Sequence, residues 1–244
     1  MRADLLSPVK GLARRLLRHP KLARRLAVHV VSTEAALARI AARGLEIGTV
    51  IDVGASDGRW SVQALPLWRH ARFHLVEANP AHEGKLKRLC ARRSAFSYSL
   101  AAAGPADGTV EFDAGNPFGG RAAPQCAAKL TVVPQRSLAS IVAERHLASP
   151  FLIKLDTHGY ELPILEGAAP LLPDTNLFVI EAYNFPIRAD GVRFHELCDL
   201  MAARGFNVID LSEPMWRSRD GAFWQLDLFF VPSHRPEFAH RGFR

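Results

Sequence analysis

Seven short apolar runs, most of them separated by segments with helical periodicity, constrain the fold of this chain more than any other feature. The apolar runs lie at residues 50–53, 73–77, 96–101, 151–156, 177–182, 206–211 and 226–231. The helical patterns lie at residues 60–68, 82–91, 137–145, 161–171 and 193–204. Strands that alternate with helices predict a doubly wound α/β fold with a mostly parallel sheet. Two shorter strand-like pieces, at 109–112 and 129–133, interrupt the alternation between the third and fourth runs.

The first 45 residues differ in charge from the rest of the chain. They contain ten lysines and arginines but two acidic residues, whereas residues 46–244 contain 21 basic and 22 acidic residues. This contrast predicts a basic helical extension at 1–45 and one α/β domain at 46–244. Because the domain is nearly neutral, the composition argues against nucleic acid as the main substrate.

Within residues 1–45, apolar positions recur at helical spacing with basic residues between them. Such a segment either contacts an anionic membrane surface or a partner protein, or packs its leucines on the domain. A further helix is predicted to start at Thr33 as its N-cap and to end at Gly44. The three cysteines lie far apart, and no run has the length of a signal peptide or of a spanning helix, which predicts a soluble cytoplasmic protein.

The segment VIDVGASDGRW, residues 50–60, predicts a strand, a turn between two glycines and the start of a helix. It fits the G-x-S-x-G elbow of serine hydrolases with Ser56 as nucleophile, but no oxyanion loop is evident upstream. Asp52 in the preceding strand opposes a pyrophosphate and therefore argues against NAD. The same acidic turn suits the cationic cofactor S-adenosylmethionine. Glu77 follows Gly58 at the distance from which a carboxylate reaches a ribose diol.

From about Leu37 to Val231 the chain resembles the FkbM family of S-adenosylmethionine-dependent methyltransferases. The resemblance rests on the order and spacing of VIDVGASDGRWS, VEANP, RSLASIVAERH, FLIKLDTHGYELPILEGAAPLL and WRSRDGAFWQLDLFFV. It implies a Rossmann-like class I methyltransferase fold, in which a seven-stranded sheet has its last strand antiparallel. It also implies methylation of a hydroxyl on a saccharide or another polyhydroxylated natural product.

The resemblance also implies two groups of cofactor-binding residues. Those along the methionine part would be Asp52, Gly54, Ala55, Asp57 and Gly58. Those along the ribose and adenine would be Glu77, Ala78, Asn79, Ala101 and Ala102. On this interpretation Ser56 is a turn residue.

The fourth and fifth strands are predicted to end at Asp156 and Glu181, so both carboxylates should face the site of methyl transfer. Asp156 can orient the acceptor hydroxyl or help to bind the cofactor ammonium. His158 is the side chain best suited to remove a proton near neutral pH, although the family more often has Gln or Glu at this position. Glu161 is either a further acid of the site or the first-turn acid of the next helix.

Two features of these strands leave alternatives open. Asp156 and Glu181, with Asn184 as a third candidate, could instead hold a divalent cation that acidifies the hydroxyl. Lys154 is unusual in an apolar parallel strand and needs a partner, for which Asp52 and Glu181 are the candidates.

The residues expected to contact the acceptor are Tyr183, Asn184 and Arg188, with a loop at 116–121 closing over them. A polar and aromatic group, Trp216, Arg217, Asp220 and Trp224, either lines a sugar or wedges the C-terminal hairpin. The alternatives to a methyltransferase are a serine hydrolase and a non-catalytic module that binds a membrane or a partner through its basic N-terminus.

Overall fold

The computed structural model describes residues 31–115, 121–122 and 130–242. The helical pattern predicted before residue 31 and most of the loop expected at 116–121 lie outside the described residues. Within the described ranges, no helix is both long enough and apolar enough to cross a membrane.

In the part of the chain that the structure describes, eleven strands form two sheets. They are β1 (Thr49–Val53), β2 (Arg72–Glu77), β3 (Phe96–Leu100), β4 (Ala102–Ala103), β5 (Gly108–Asp113), β6 (Arg121–Ala122), β7 (Leu130–Arg136), β8 (Phe151–Leu155), β9 (Thr175–Tyr183), β10 (Phe206–Trp216) and β11 (Phe223–Pro232). The large sheet has seven strands in the order β10-β11-β9-β8-β1-β2-β3. Its strands are parallel except β11, which is antiparallel to both neighbours. The predicted class I methyltransferase fold is therefore confirmed.

Among the described residues, six α-helices cover the two faces of this sheet. They are α1 (Thr33–Ala41), α2 (Arg59–Ala64), α3 (Glu83–Arg92), α4 (Leu138–Arg145), α5 (Glu161–Gly167) and α6 (Phe194–Ala203). Successive side chains of a strand point to opposite faces, so each strand contributes to both cores. In β1, for example, Val50 packs with α1, α2 and α3, and Ile51 packs with α4, α5 and α6. Each fully buried large apolar side chain contributes about 1.5–3 kcal/mol relative to exposure.

The central strands β1 and β8 are buried along their whole length. This burial explains their nearly continuous apolar sequence, since helices cover both faces of a parallel sheet. Asp52 and Lys154 are the charged exceptions. They are paired in register across the two strands and lie on the face that packs against α1, α2 and α3.

The predicted short strands near residues 109–112 and 129–133 are confirmed as β5 and β7 of a second sheet, with the order β4-β7-β5-β6. A small core of Ala102, Phe112 and Val133 holds this sheet beside the end of β3. The second sheet thereby forms a wall next to the carboxyl ends of the main strands.

The prediction that Thr33 caps α1 is wrong, because Ser32 is the N-cap. The hydroxyl of Ser32 accepts a hydrogen bond from the backbone N–H of Ala35 at 3.3 Å. Thr33 instead donates its N–H and its hydroxyl to the Glu213 carboxylate, at 2.8 and 3.2 Å. The first turn of α1 is thus fastened to β10, which extends five residues beyond its predicted end because it pairs with β11 as a hairpin.

Candidate active site

A cavity of about 610 Å³ lies at the carboxyl ends of β1, β2, β8 and β9. Ligands of open α/β sheets bind at this edge. The second sheet, the start of α1 and the β10–β11 hairpin complete its walls. The predicted site residues that line it are Gly54, Ala55, Glu77, Ala78, Asn79, Ala101, Ala102, Asp156, His158 and Glu181.

The turn after β1 approaches the end of β8 so closely that only glycine fits at its start. Gly54 has φ +73°, and a Cβ built there would lie 2.0 Å from the backbone oxygen of Asp156. The N–H groups of Gly54 and Ala55 donate to the Val76 carbonyl at 2.9 and 3.2 Å. Ser56 also has a positive φ, +51°. The turn therefore brings backbone, rather than side chains, to the cavity.

Glu77 fixes this turn to the end of β2. Its Oε2 accepts the Ser56 N–H at 2.6 Å and its Oε1 accepts the Asn79 N–H at 2.7 Å. Burial raises the pKa of Glu77 above its ordinary value, although these two hydrogen bonds oppose the shift. A carboxylate oxygen has two lone pairs, so each oxygen keeps one for a ligand hydroxyl.

Asn79 is a further cavity-lining residue after β2. Its Oδ1 accepts the Ala81 N–H at 3.0 Å, whereas its Nδ2 is buried and has no hydrogen-bond partner among the residues that the structure describes. A buried donor without a partner costs about 1–3 kcal/mol.

Three residues expected along the methionine part of the cofactor are not among the residues that line the cavity. Asp52 is fully buried and accepts a hydrogen bond from the Ser61 hydroxyl at 2.7 Å. Asp57 pairs with Arg59 at 2.8 Å, and these hydrogen bonds lower its pKa to about 2. Gly58 packs against the core, where a Cβ would lie 2.4 Å from Leu89.

Lys154 lies between Asp52 and the cavity. Its Nζ is 3.6 Å from Asp52 Oδ1, which confirms the first predicted partner, and it donates to Asp156 Oδ2 at 2.9 Å instead of reaching Glu181. Burial alone would lower the pKa of Lys154, but Asp156 and Asp52 raise it above its ordinary value. Lys154 therefore stays charged and holds one oxygen of Asp156.

Asp156, His158 and Glu181 form a cluster on the cavity wall. Nδ1 of His158 is 3.0 Å from Glu181 Oε2 and 4.0 Å from Asp156 Oδ1. Burial would raise the pKa of Asp156, but Lys154 and His158 lower it below its ordinary value. The hydroxyl of Tyr183 lies 2.8 Å from His158 Nδ1 and donates a hydrogen bond to Glu181 Oε2.

The loop that carries His158 is braced by Glu161, the first residue of α5. The Glu161 carboxylate accepts hydrogen bonds from the Thr157 hydroxyl at 3.1 Å and from the Gly159 N–H at 3.0 Å. Glu161 is buried and is not among the cavity-lining residues, which supports its interpretation as the first-turn acid of the helix.

None of the three predicted acceptor-binding residues lines the cavity. Tyr183 lies behind the cluster, and Asn184 donates its N–H and Nδ2 to the carbonyls of Trp224 and Phe223. Arg188 pairs with Asp190 at 2.9 Å, and its guanidinium lies 5.5 Å from the centre of the Tyr160 ring. Asn184 thus joins the hairpin, whereas Arg188 packs beside Gly159 and the cavity-lining Tyr160. Contact of these residues with the acceptor stays a prediction.

The polar and aromatic group before the last strand packs on itself. Arg217 lies 4.0 Å from the centre of the Phe185 ring and pairs with Asp220 at 2.6 Å. Trp224 contacts Phe185 and Tyr183. Of the two predicted roles, these contacts favour the hairpin wedge.

The β10–β11 hairpin contributes cavity residues that the sequence reasoning missed. They are Glu213, Met215, Gln225 and Asp227. Gln225 and Asp227 alternate with the buried Leu226 and Leu228, a pattern typical of a strand with one polar face. Asp227 lies opposite Glu181 in the sheet register, and burial raises its pKa to about 7. The side chain of Gln225 donates a hydrogen bond to Glu181 Oε1.

Comparisons with known proteins relate this chain to methyltransferases. A profile of the methyltransferase FkbM domain matches residues 52–208. No curated protein matches significantly. Methyltransferase FkbM from Methylobacillus flagellatus KT is similar in structure, with a TM-score of 0.49 and 16% identity over 88% of this chain and 60% of that one. This chain thus spans about 60% of the length of that structure.

Two further solved structures are also similar. A fibrillarin pre-rRNA processing protein from Methanococcus jannaschii has a TM-score of 0.49 and 13% identity, over 78% of this chain and 68% of that one. The 1,6-didemethyltoxoflavin-N1-methyltransferase of Burkholderia thailandensis, solved with 1,6-didemethyltoxoflavin and S-adenosylhomocysteine, has a TM-score of 0.46 and 15% identity, over 96% of this chain and 92% of that one.

Proposed function

The chain belongs to the FkbM methyltransferase family, and on that premise we propose that it methylates a hydroxyl group of a saccharide or another polyhydroxylated natural product. Its cofactor is S-adenosylmethionine, which supplies a methyl group on a positively charged sulfur. The observation that carries the proposal is that the nucleoside-binding turn and the Asp156, His158 and Glu181 cluster share one cavity.

The residues at one end of the cavity fit this cofactor. Glu77 keeps a lone pair on each oxygen for a ribose diol, and Asn79 presents a buried donor that lacks a protein acceptor. Ala101 and Ala102 have small side chains where an adenine ring would need room. Gly54 and Ala55 bring backbone to the remainder of the cofactor.

The cluster at the other end suits a hydroxyl acceptor. A neutral hydroxyl is a weak nucleophile and needs a group that weakens or accepts its proton. Glu181 and His158 lie within hydrogen-bond distance of each other and both face the cavity. The carboxylates around them would stabilise a protonated amine as an ammonium ion, which has no lone pair with which to react. The charge of the cavity therefore favours oxygen over nitrogen as the acceptor atom.

The proposal is tested by incubating the purified chain with S-adenosylmethionine and two matched panels. One panel contains neutral sugars and polyols, and the other contains amines of similar size. We expect release of S-adenosylhomocysteine with members of the first panel, and an O-methyl signal in the NMR spectrum of the product. Methylation confined to the amine panel would refute the hydroxyl assignment.

Calorimetric titration with S-adenosylhomocysteine tests the two alternatives to a methyltransferase. Binding is expected, and replacing Ser56 by alanine should leave most of the methyl transfer intact. Loss of all activity in Ser56→Ala, together with wild-type binding of S-adenosylhomocysteine, would contradict the assignment of Ser56 as a turn residue.

A further inference from the structure

We propose that Asp156, His158 and Glu181 bind a divalent metal ion, and that the acceptor hydroxyl coordinates to this ion. The ion site is argued from the protein residues alone. The second part, which concerns the acceptor, rests on the proposed function.

The first argument is the spacing of the donor atoms. One ligand atom from each of the three side chains lies within 4.8 Å of the other two. In an octahedron with metal–ligand bonds of about 2.1 Å, adjacent ligand atoms are about 3.0 Å apart and opposite ones about 4.2 Å apart. His158 Nδ1 lies 3.0 Å from Glu181 Oε2 and 4.0 Å from Asp156 Oδ1. A single ion can therefore contact all three atoms with small adjustments.

Two side chains outside the cluster orient its carboxylates. Lys154 holds Asp156 by Oδ2 at 2.9 Å, and Gln225 holds Glu181 by Oε1. The second oxygen of each carboxylate is the one nearer to His158, and in Glu181 this oxygen also accepts a hydrogen bond from the Tyr183 hydroxyl. Carboxylates that ligate metal ions are commonly oriented by such outer hydrogen bonds.

The charge around the cluster gives a third argument. Asp156 and Glu181 bring two carboxylates to the cluster, and Lys154 contacts Asp156 rather than Glu181. Buried charges of one sign are costly unless a counter-charge lies nearby. A divalent cation between Asp156 and Glu181 would supply that charge where Lys154 does not reach.

The donor set also indicates which ions fit. Two carboxylate oxygens and one imidazole nitrogen suit first-row ions such as Mn²⁺ better than Ca²⁺ or Mg²⁺, which prefer oxygen ligands. Three protein ligands leave coordination positions for water or substrate. A hydroxyl bound to such an ion becomes more acidic, as water does when its pKa falls from 15.7 to about 7 on zinc. The ion would therefore help to ionise the hydroxyl that the proposed reaction requires.

Manganese binding gives a test that does not depend on activity. The full chain is treated with chelator, desalted and titrated with MnCl₂, and free Mn²⁺ is counted by electron paramagnetic resonance. We expect one tightly bound ion per chain. Asp156→Asn and Glu181→Gln should each weaken binding by about tenfold or more. Equal Mn²⁺ binding by wild type and Glu181→Gln would overturn the site.

Glu213→Gln is the matched control, because Glu213 is a carboxylate on the same cavity wall but outside the cluster. It should bind Mn²⁺ as the wild type does. Circular dichroism and titration with S-adenosylhomocysteine show whether each variant is folded. Weakening of Mn²⁺ binding in Glu213→Gln to the same extent as in Glu181→Gln would show a diffuse charge effect and contradict a defined site.

The two proposals fail in different ways. If Mn²⁺ binds as described but no hydroxyl acceptor is methylated with any ion present, the proposed function is wrong and the ion site stands. If a hydroxyl is methylated at the same rate with excess chelator and with Mn²⁺, the role of the ion in the reaction is wrong and the proposed function stands.

Discussion

Alanine at Gly54 should damage the domain far more than alanine at Gly44, although the two glycines have almost the same backbone conformation. Their φ values are +73° and +70°. A Cβ at Gly54 would lie 2.0 Å from the backbone oxygen of Asp156, whereas one at Gly44 would have nothing within 4 Å. The pair of variants therefore separates the cost of the left-handed conformation from the cost of the collision.

The expected losses of unfolding free energy follow from the cost of the left-handed conformation and the cost of the collision. A left-handed alanine costs about 1–2 kcal/mol in either variant, partly offset by about 0.4–1 kcal/mol from the loss of glycine freedom in the unfolded chain. Gly54→Ala adds a collision with backbone, for which overpacking of about 1–3 kcal/mol is typical. Because the first two terms cancel between the variants, the difference in unfolding free energy should be about 1–3 kcal/mol.

Urea unfolding followed by circular dichroism measures this difference. Relief of the collision requires the ends of β1 and β8 to separate, so the affinity for S-adenosylhomocysteine should also fall in Gly54→Ala and not in Gly44→Ala. Unfolding free energies that agree within about 0.5 kcal/mol, the usual scatter for surface substitutions, would refute the close approach of the two strand ends.

Four further variants, one of them a control, test other parts of the structure. Burial holds the pKa of His74 at about 4 rather than 6.5, so protonation favours the unfolded chain. Stability should fall by up to about 3 kcal/mol as the pH drops from 6.5 to 4, and His74→Gln should flatten this slope in unfolding curves. Ser32→Ala removes the cap of α1 and should lower the unfolding free energy by about 1 kcal/mol; no change would argue against the cap. Glu77→Ala should weaken calorimetric binding of S-adenosylhomocysteine at least tenfold, whereas Glu83→Ala, on the exposed face of α3, should not.

The positions of Glu77, Asp156 and Glu181 could be predicted because each lies at or near the carboxyl end of a recognisable apolar strand. Strands of a parallel sheet end at the same edge, so residues distant in sequence meet there without any knowledge of loop structure. The same logic located the turn at Gly54. The pattern of apolar strands alone was enough to predict these positions.

The placement of Asp52 could not be predicted in this way. When helices cover both faces of a strand, its sequence is apolar throughout and does not reveal which face a polar residue occupies. Asp52 is two residues after Val50 in β1, so both side chains point to the same face of the sheet. This is the face covered by α1, α2 and α3, and Lys154, the register partner of Asp52, lies beside it. The ion pair between Asp52 and Lys154 could be inferred from their opposite charges, whereas the complete burial of Asp52 could not.

The contribution of the β10–β11 hairpin was missed because it depends on register. A shift of one residue in the pairing of β11 with β9 would turn Gln225 and Asp227 away from the cavity. The observed register places them opposite Tyr183 and Glu181.

Because Glu77 accepts two backbone hydrogen bonds, amide exchange at these two positions should depend on whether a ligand occupies the cavity beside Glu77. One carboxylate fastens the backbone amides of Ser56 and Asn79, which belong to the segments after two different strands. A bound diol would share the same two oxygens and restrain the carboxylate from the opposite side. Deuterium uptake at these two amides should therefore slow together when the cavity is occupied, which gives a label-free measure of occupancy in the intact chain.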